Sequence, residues 1–376
     1  MFPSSPQSNK DEFEEEPQIT VVDEFEPDDE FELEDSRMER VKGFILSRRG
    51  LLVGVLAIVG ASVVGYPMLH EKGPGGKEMM SEYEKLTDPK ARHMYVLKQV
   101  AAGNMPSTWD DWVTVKAVGK TGMEAEFEVS PHGLRIGHDD DWIEVPLDGP
   151  HAMAAAELRG CTLPTYWMAE QILLQAKKTG GLVNFFNDGV IANHPDTKNT
   201  LGVNWNALSK DQKDAFKMKP PLVKARNILI KKWQEEHKIS DRQLTSCSFK
   251  EIVQPVEGLT TAAAEEFSIL GVNITVKDAK TNMLEIRGGC YVDEKGNIKK
   301  EVQPLSSGYH EDTYFDYSHL PRLVRLKIKV NGGILTFTDF FNNADYSREF
   351  VFQKSPVPER AYNYSVELAK FVEENK

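Results

Sequence analysis

The sequence predicts an α+β fold, in which a single-pass N-terminal transmembrane helix precedes a mixed α+β extracytoplasmic domain. Three observations lead to this prediction. Residues 51–69 form a run of 19 residues without a charge. The residues behind that run contain segments that alternate apolar and polar side chains, as strands do, and others with helical periodicity. These segments lack the regular strand–helix–strand order of a parallel sheet, so α+β is favoured over α/β.

The first 42 residues carry almost all of the net charge. The chain has a formal charge of −13, and residues 1–40 hold 15 Asp or Glu against three Lys or Arg, a net charge of −12. Such a segment buries too little apolar surface to offset its ordering entropy, so we predict that residues 1–42 form an acidic, disordered cytoplasmic tail. The remainder is nearly neutral and shows no basic cluster, which excludes nucleic acid as a partner.

Residues 43–69 are predicted to be a basic flank and a transmembrane helix. A helix over residues 51–69 would be about 28 Å long, close to the thickness of a bilayer core. Basic residues before and after the run are Arg37, Arg40, Lys42, Arg48 and Arg49, then Lys72 and Lys77. Because basic residues favour the cytoplasmic side, we expect an inner-membrane protein whose C-terminal domain is periplasmic or extracellular. The membrane is thus an expected partner.

Two further readings of this region stay open. The pair Arg48-Arg49 resembles a twin-arginine export signal, but no Ala-x-Ala cleavage motif follows, so an uncleaved signal-anchor is preferred. Small residues recur every fourth position at Ala57, Ala61 and Gly65, and such a stripe lets two spans pack closely. A homo-oligomer is therefore one reading of the sequence.

Residues 70–108 are predicted to be a Gly-rich linker and a short helix over 81–100, and residues 109–376 the extracytoplasmic α+β domain. Alternating residues and helical periodicity place the elements of this domain. Strands are predicted at 112–118, 123–130, 142–147, 269–277 and 283–292, and helices at 150–158, 164–178, 221–238 and from about 359. A hairpin is predicted over 322–340, because Asn331-Gly332-Gly333 suits a tight turn.

The candidate site is a polar block between residues 308 and 322. Its proposed catalytic residues are His310, Asp316, Ser318, His319 and Arg322. Together they offer a general base, a group to orient it and a cation to bind an anion. In an extended segment, however, Ser318 and His319 point to opposite faces, which argues against a dyad between them. A metal site from His310, Asp312 and His319 and a hydrogen-bonded structural corner are the alternatives.

The three cysteines, Cys161, Cys247 and Cys290, are too few and odd in number for a disulfide framework. Cys161 precedes a predicted helix, whose N-terminus would lower its pKa, so it is a second candidate nucleophile. Cys290 follows two glycines, which is more typical of packing at a bulge. The chain has no Cys-x-x-Cys or His/Cys zinc spacing and no cofactor motif, so we predict neither a cofactor nor a metal.

Two stretches of the chain resemble a family of exported bacterial proteins to which no reaction is assigned. The first stretch contains Ile136-Gly137, Asp140-Asp141, Val145-Pro146-Leu147 and residues 160–165, Gly-Cys-Thr-Leu-Pro-Thr. The second contains Gln303-Pro304-Leu305, His310, Asp316-Tyr317-Ser318-His319, Arg322-Leu323-Val324 and Asn331-Gly332. The resemblance covers residues 110–345 and implies a folded, exported domain with a site near His310 and His319.

The chain departs from that family pattern at three places. It has Gly289-Cys290-Tyr291 in place of a Gly-Trp-His, an Ala-rich run at 262–267 in place of a Lys-Lys-Asp stretch, and Leu320-Pro321 after Ser-His in place of Gly. These departures imply a lost or altered activity. The function predicted is an anchored, hydrolase-like domain acting on cell-envelope peptide or glycan. The alternative is a non-catalytic binding or structural protein with an envelope or cell-wall partner.

Overall fold

The structure is a computed structural model that describes residues 73–254, 283–350 and 364–376. The description below concerns the unit formed by residues 70–376. The predicted acidic tail (1–42), the predicted basic flank and span (43–69) and the predicted strand 269–277 lie outside the described residues. So do the side chains of residues 283–285, 301 and 303–310.

The prediction of a single-pass membrane protein is corrected. Among the helices of the described residues, none is both long enough and apolar enough to cross a bilayer. A span needs about 20 consecutive, mostly apolar residues, whereas the longest described helix, Pro220–Glu236, has 17 residues and carries Lys and Arg along its length. The predicted span at 51–69 lies outside the described residues. The described residues form a mixed α+β domain, and nothing in them supports the predicted anchor, inner-membrane location or extracytoplasmic assignment.

Helices and strands are interspersed along the described residues. The α-helices are α1 (Gly76–Lys85), α2 (Pro89–Ala101), α3 (Gly149–Leu158), α4 (Tyr166–Lys178), α5 (Asp188–Asn193), α6 (Lys210–Phe216), α7 (Pro220–Glu236), α8 (Phe337–Asn342), α9 (Ala344–Glu349) and α10 (Val366–Asn375). The strands are β1 (Val113–Val118), β2 (Glu124–Val129), β3 (Arg135–Gly137), β4 (Trp142–Glu144), β5 (Cys161–Thr162), β6 (Lys250–Ile252), β7 (Met283–Val292), β8 (Ile298–Glu311), β9 (His319–Pro321), β10 (Val324–Val330) and β11 (Gly333–Thr336).

The first sheet has the order β1-β2-β10-β11, and β5 also pairs with β10. Alternation in β2 sets its faces: Ala125, Phe127 and Val129 are buried and the glutamates between them are not. The predicted hairpin is present, with Asn331 at φ 45° and Gly332 at φ 88° in its turn. Its return strand is shorter than predicted and ends at Thr336, because the Thr336 hydroxyl caps α8.

A second sheet has the order β8-β7-β6-β9. The predicted strand 283–292 is its β7, which pairs with β8 in an antiparallel arrangement. The short strands β6 and β9 are parallel, with Lys250 beside His319. This pairing fixes the second half of the polar block, which the sequence analysis singled out, against residues 250–252.

The helices before β1 differ from the prediction. The predicted helix 81–100 is two helices, because Pro89 begins a new helix, α2. The Asp88 side chain caps α2 by accepting hydrogen bonds from the backbone N–H groups of Lys90 and Ala91. The predicted linker 70–80 becomes helical at Gly76. Met79, Met80 and Tyr83 are buried in the main core, and that packing outweighs the low helix propensity of the preceding glycines.

Between β4 and α7 lies a network of buried charges centred on Glu144. One carboxylate oxygen accepts hydrogen bonds from Arg135 Nε at 3.2 Å and Nη2 at 3.1 Å. The other oxygen accepts one from Arg226 Nη2 at 3.0 Å. The Asn227 side chain donates to the Glu144 carbonyl at 2.9 Å and accepts from its N–H at 2.7 Å. Glu144 is thus bound through both its side chain and its backbone.

The segment that follows, residues 145–151, is fixed by backbone hydrogen bonds at every second residue. Val145 donates to the Leu134 carbonyl at 3.2 Å, and Leu147 to the His319 carbonyl at 3.2 Å. Gly149 then donates to the Asp312 carbonyl at 2.9 Å. The segment therefore leads from the Glu144 network to the start of α3 along a defined path beside residues 312–319.

Helix α10 packs against α3 through the buried side chains of Leu368 and Val372. Glu157, in the last turn of α3, contacts the residues just before and just after α10. It accepts a hydrogen bond from the Tyr364 hydroxyl at 2.9 Å and pairs with Lys376 Nζ at 2.6 Å. Glu157 thereby ties the last turn of α3 to the residues at both ends of α10.

We predict that Glu144→Gln destabilises the domain by about 3–5 kcal/mol, because it leaves two buried guanidinium groups without their shared carboxylate. The measurement is the free energy of unfolding in urea. Glu128→Gln is the matched control, since Glu128 pairs with Arg325 at 3.5 Å with both side chains about half exposed, and its loss should change stability by less than about 1 kcal/mol. Equal effects in the two variants would contradict the role given to Glu144.

Candidate functional site

The structure places most of the predicted site residues in the interior of the domain. His310 lies in β8 with its backbone opposite Leu284 of β7, and its side chain is outside the described part. Asp316, Ser318, His319 and Arg322 are all buried. Their assignment to a site stays a prediction, and the contacts they make are as follows.

Asp316 is the centre of a compact turn. Its Oδ1 atom accepts hydrogen bonds from the backbone N–H of Ser318 at 2.8 Å and from the Ser318 hydroxyl at 2.5 Å. Its Oδ2 atom lies 3.4 Å from Lys250 Nζ and 3.6 Å from His319 Nε2. Burial raises the pKa of Asp316, but His319, Lys250 and Ser318 together outweigh burial and hold the pKa well below its usual range. The Ser318 hydroxyl is thus bound to a carboxylate and does not act with the adjacent histidine.

The Arg322 guanidinium donates three hydrogen bonds, none of them to the Asp316 turn. Its Nε atom donates to Glu251 Oε1 at 2.6 Å, and its two terminal nitrogens donate to the carbonyls of Ser130 and Thr245, each at 2.7 Å. Arg322 therefore pairs with Glu251 of β6 and not with Asp316. Its guanidinium joins three separate segments, which is what a structural cation does.

The cysteine candidates are buried as well. Cys161 lies in β5, while α4 begins at Tyr166 and is capped by Thr165, so no helix N-terminus lowers its pKa. Burial instead raises the pKa of the Cys161 thiol to about 11. Cys290 is buried after Gly288 and Gly289, both at positive φ, next to a shift in the β7–β8 register. This is the packing role that was predicted for it.

A different set of residues combines titratable side chains with an open cavity. Asp148 caps α3, and its Oδ1 atom accepts the backbone N–H of His151 at 2.9 Å. The same oxygen lies 2.6 Å from Nδ1 of the His151 ring. Asp148-Gly149-Pro150-His151 favours this arrangement because Asp is a preferred cap and Pro fits the first helical turn, which puts His151 one turn from the cap.

A second histidine reaches the same carboxylate from α2. His93 is 1% exposed, and its Nδ1 atom lies 3.2 Å from Asp148 Oδ2. This is an ion-pair distance without the alignment of a full hydrogen bond, and Nε2 of His93 has no hydrogen-bond partner. The rings of His93 and His151 are 4.8 Å apart, and Phe315 lies edge-on to His93 at 4.3 Å.

These three residues line a cavity of about 470 Å³. Its walls come from the N-terminal ends of α2, α3 and α10 and from the loop after β8. The other lining residues are Asp88, Pro89, Lys90, Met94, Pro150, Asp312, Thr313, Ser365, Glu367 and Leu368. The predicted polar block thus contributes to this cavity through Asp312 and Thr313. His319, the histidine of the block whose side chain is described, does not line it.

Burial and mutual contacts set the charges in the cavity. Burial raises the pKa of Asp148, but its contacts with His151 and His93 outweigh burial and hold the pKa well below its usual range, so the carboxylate is ionised at neutral pH. Burial lowers the pKa of His93, although Asp148 opposes this, so His93 is uncharged at neutral pH. Burial, with the nearby Asp148 charge, raises the pKa of Asp312.

His93, Asp148 and His151 also have the composition of a metal site. Each offers a ligand atom, and these atoms lie within 4.8 Å of one another. In the described residues this is the only such group of three His, Cys, Asp or Glu side chains. The sequence contained a local signal, the Asp-x-x-His spacing at a helix cap, which the sequence analysis missed. His93 lies 55 residues before Asp148, and no local pattern links the two.

No family model, curated protein or solved structure matches the chain. The resemblance to exported bacterial proteins therefore stays a prediction, and the assignment of a function depends on the site itself.

We predict that His319→Ala destabilises the domain by about 1–3 kcal/mol, because the buried imidazole is one of the groups that surround the Asp316 carboxylate. Thermal or urea unfolding measures the effect. His194→Ala is the control, since His194 is partly exposed and its ring contacts, among the described residues, only Asp196, accepting an exposed hydrogen bond from the backbone N–H at 3.2 Å and lying 3.8 Å from the carboxylate; its effect should stay within about 0.5 kcal/mol. Unchanged stability in His319→Ala would instead support its membership of a functional site.

We also predict slow alkylation of Cys161. A thiol with a pKa of about 11 has far less thiolate at pH 8 than an ordinary cysteine, so iodoacetamide should label it at least about 100-fold more slowly than free cysteine. The rate should rise with pH and reach that of free cysteine in guanidinium chloride. Peptide mapping by mass spectrometry gives the rate, and fast labelling of the native protein would contradict the structure around β5.

Proposed function

We propose that the chain is a hydrolase whose site is the cavity lined by His93, Asp148 and His151. One observation carries this proposal: a buried carboxylate binds Nδ1 of His151 at 2.6 Å on the wall of that cavity. An ionised carboxylate accepts a hydrogen bond, so the proton of the neutral ring sits on Nδ1 and the lone pair on Nε2. This orientation of an imidazole by a carboxylate is a recurring feature of sites that activate water.

The reaction that the site would catalyse is the attack of water on a polarised carbon, with loss of a leaving group. The water oxygen forms a bond to that carbon, the bond to the leaving group breaks, and a proton from the water ends on the leaving group. A group with a free lone pair has to accept a proton from the water, or polarise its O–H bond through a hydrogen bond, as this happens. His151 is suited to this role because it is partly exposed, whereas His93 is almost fully enclosed.

The charges of the cavity bear on the substrate. Apart from His93, Asp148 and His151, its described ionisable side chains are the acids Asp88, Asp312 and Glu367 and a single base, Lys90. This excess of acidic groups disfavours a phosphate ester and favours a neutral or positively charged ester or amide. The rival function, a non-catalytic binding protein, would use the same cavity but would not need the tautomer of His151 to be fixed.

The test is hydrolysis by the full chain and by His151→Ala. Substrates are 4-nitrophenyl acetate, alanine 4-nitroanilide and bis(4-nitrophenyl) phosphate, which are neutral, cationic and anionic. We expect turnover of the first two, and a loss of at least about 100-fold in kcat/KM in His151→Ala, the usual contribution of an acid–base group.

His194→Ala is the matched control, since His194 lies outside the cavity, and its kcat/KM should stay within about twofold of the parent. Equal turnover in His151→Ala and the parent would contradict the proposal. So would the absence of turnover for all three substrates in protein that binds them, which would favour the binding function.

A further inference from the structure

We propose that His93, Asp148 and His151 bind a zinc-type divalent metal ion at the base of the cavity. Two imidazoles and one carboxylate are nitrogen and oxygen donors of the kind that bind zinc in enzymes, where three protein ligands leave one position for water. Calcium and magnesium are disfavoured, because they require mostly oxygen ligands and the group offers one carboxylate. The inference rests on the proposed function only for the catalytic role of the metal-bound water.

The spacing of the ligand atoms fits this assignment after a small adjustment. Ligands at about 2.1 Å from zinc in a tetrahedral site lie about 3.4 Å from one another. The three atoms here lie within 4.8 Å of one another. His151 is the ligand that can move, since its side chain is partly exposed at the cavity wall while His93 is enclosed by Phe315 and His151.

An unsatisfied nitrogen is the second observation that points to a ligand. Nε2 of His93 is buried and has no hydrogen-bond partner, although nearly all buried polar side-chain atoms in proteins have one. The ring lines the cavity and is 1% exposed. A metal ion bound to this nitrogen would satisfy it.

The charge of Asp148 gives a third, independent reason. Its carboxylate is 4% exposed, and in the described residues its side-chain contacts are with His93 and His151 and with no Lys or Arg. The other buried carboxylates of the described residues are paired with a permanent cation, Glu144, Glu170 and Glu251 with arginine and Asp316 with Lys250. Buried charges are paired or coordinate metals, and a divalent cation would supply the charge that Asp148 otherwise lacks.

The neighbouring charges support a cation at this position. Facing the cavity from α2, the loop after β8 and α10 are Asp88, Asp312 and Glu367, against Lys90 alone. A bound divalent ion would lower the pKa of its water toward neutrality and so provide hydroxide for the hydrolysis proposed above. His93 and His151 would then hold the ion, the metal-bound water would replace the free lone pair of His151 in activating the nucleophile, and Asp148 would either ligate the ion or fix both rings.

The experiment is a zinc titration of the full chain by isothermal calorimetry, after removal of metal with EDTA and dialysis. Asp148→Asn keeps the size and the capping capacity of the residue, and His151→Ala removes a partly exposed ligand; His194→Ala is the control. We expect one zinc ion per parent chain, and at least about a 10-fold loss of affinity in both site variants but not in the control. Unfolding curves without zinc identify variants that keep the fold.

Cobalt separates the site from adventitious binding, for example to the acidic residues 1–40. The cobalt-loaded parent should show the strong visible absorption of a tetrahedral ion, and the two site variants should not. Unchanged zinc affinity in both folded site variants, or no binding by the parent, would overturn the inference. If Asp148→Asn or His151→Ala fails to fold, the other variant decides.

The same samples separate this inference from the proposed function. Zinc binding that depends on the site, without turnover of any of the three substrates, would refute the hydrolase and leave the metal site standing. Turnover that persists in excess EDTA and is lost in His151→Ala would refute the metal site and leave the hydrolase standing.

Discussion

Glu144 lies between Arg135 of β3 and Arg226 of α7, with both arginines donating to its carboxylate inside the protein. Neither guanidinium nor the carboxylate is accessible to water, so the carboxylate depends on the two arginines for its solvation, while Arg135 also pairs with Asp241 and Arg226 also donates to the Ser248 carbonyl. The arrangement fixes the end of β4. From that point the chain runs through three buried residues, 145–147, directly into the cap of α3. The position of Asp148 is therefore set by a charge network four residues earlier.

The polar block at 308–322 contacts the same segment from the other side. The carbonyl of His319 accepts the N–H of Leu147, and the carbonyl of Asp312 accepts that of Gly149. Two parts of the sequence resemblance, Val145-Pro146-Leu147 and Asp316–His319, are thus in direct backbone contact. Asp316 holds this loop in shape through Ser318 and Lys250, and Arg322 does so through Glu251 and the carbonyls of Ser130 and Thr245. Their density reflects the burial of an irregular segment, whose backbone groups require partners.

Local patterns in the sequence were sufficient for those elements that are determined locally. Alternation identified β2 and β10, the Asn331-Gly332 pair identified the turn, and two prolines identified the start of α7. Patterns failed where distant contacts decide. The glycines before Met79 suggested a linker, yet the packing of Met79 into the core makes the segment helical. Polar character alone also did not distinguish a buried turn around Asp316 from an open site.

The candidate site divides in the same way. Asp148 and His151 are three residues apart at a helix cap, so their contact follows from local geometry and was accessible to sequence reasoning. His93 meets them only because α2 packs on α3, and Asp312 only because the loop after β8 bonds to Gly149. The pKa values of these groups are set by their burial and by the charges of their neighbours. Burial and neighbours both depend on the tertiary fold, so no single stretch of sequence reveals them.

Separate parts of the chain supply the reactive groups and the walls around them. The histidines and Asp148 come from α2 and α3, whereas Ser365, Glu367 and Leu368 come from α10, which Glu157 fastens in place. Substitutions on the cavity side of α10 can therefore alter the size and charge of the opening while the three reactive side chains keep their geometry. Natural variants, or a laboratory library restricted to this helix, would be able to exchange one preferred ligand for another without rebuilding the centre.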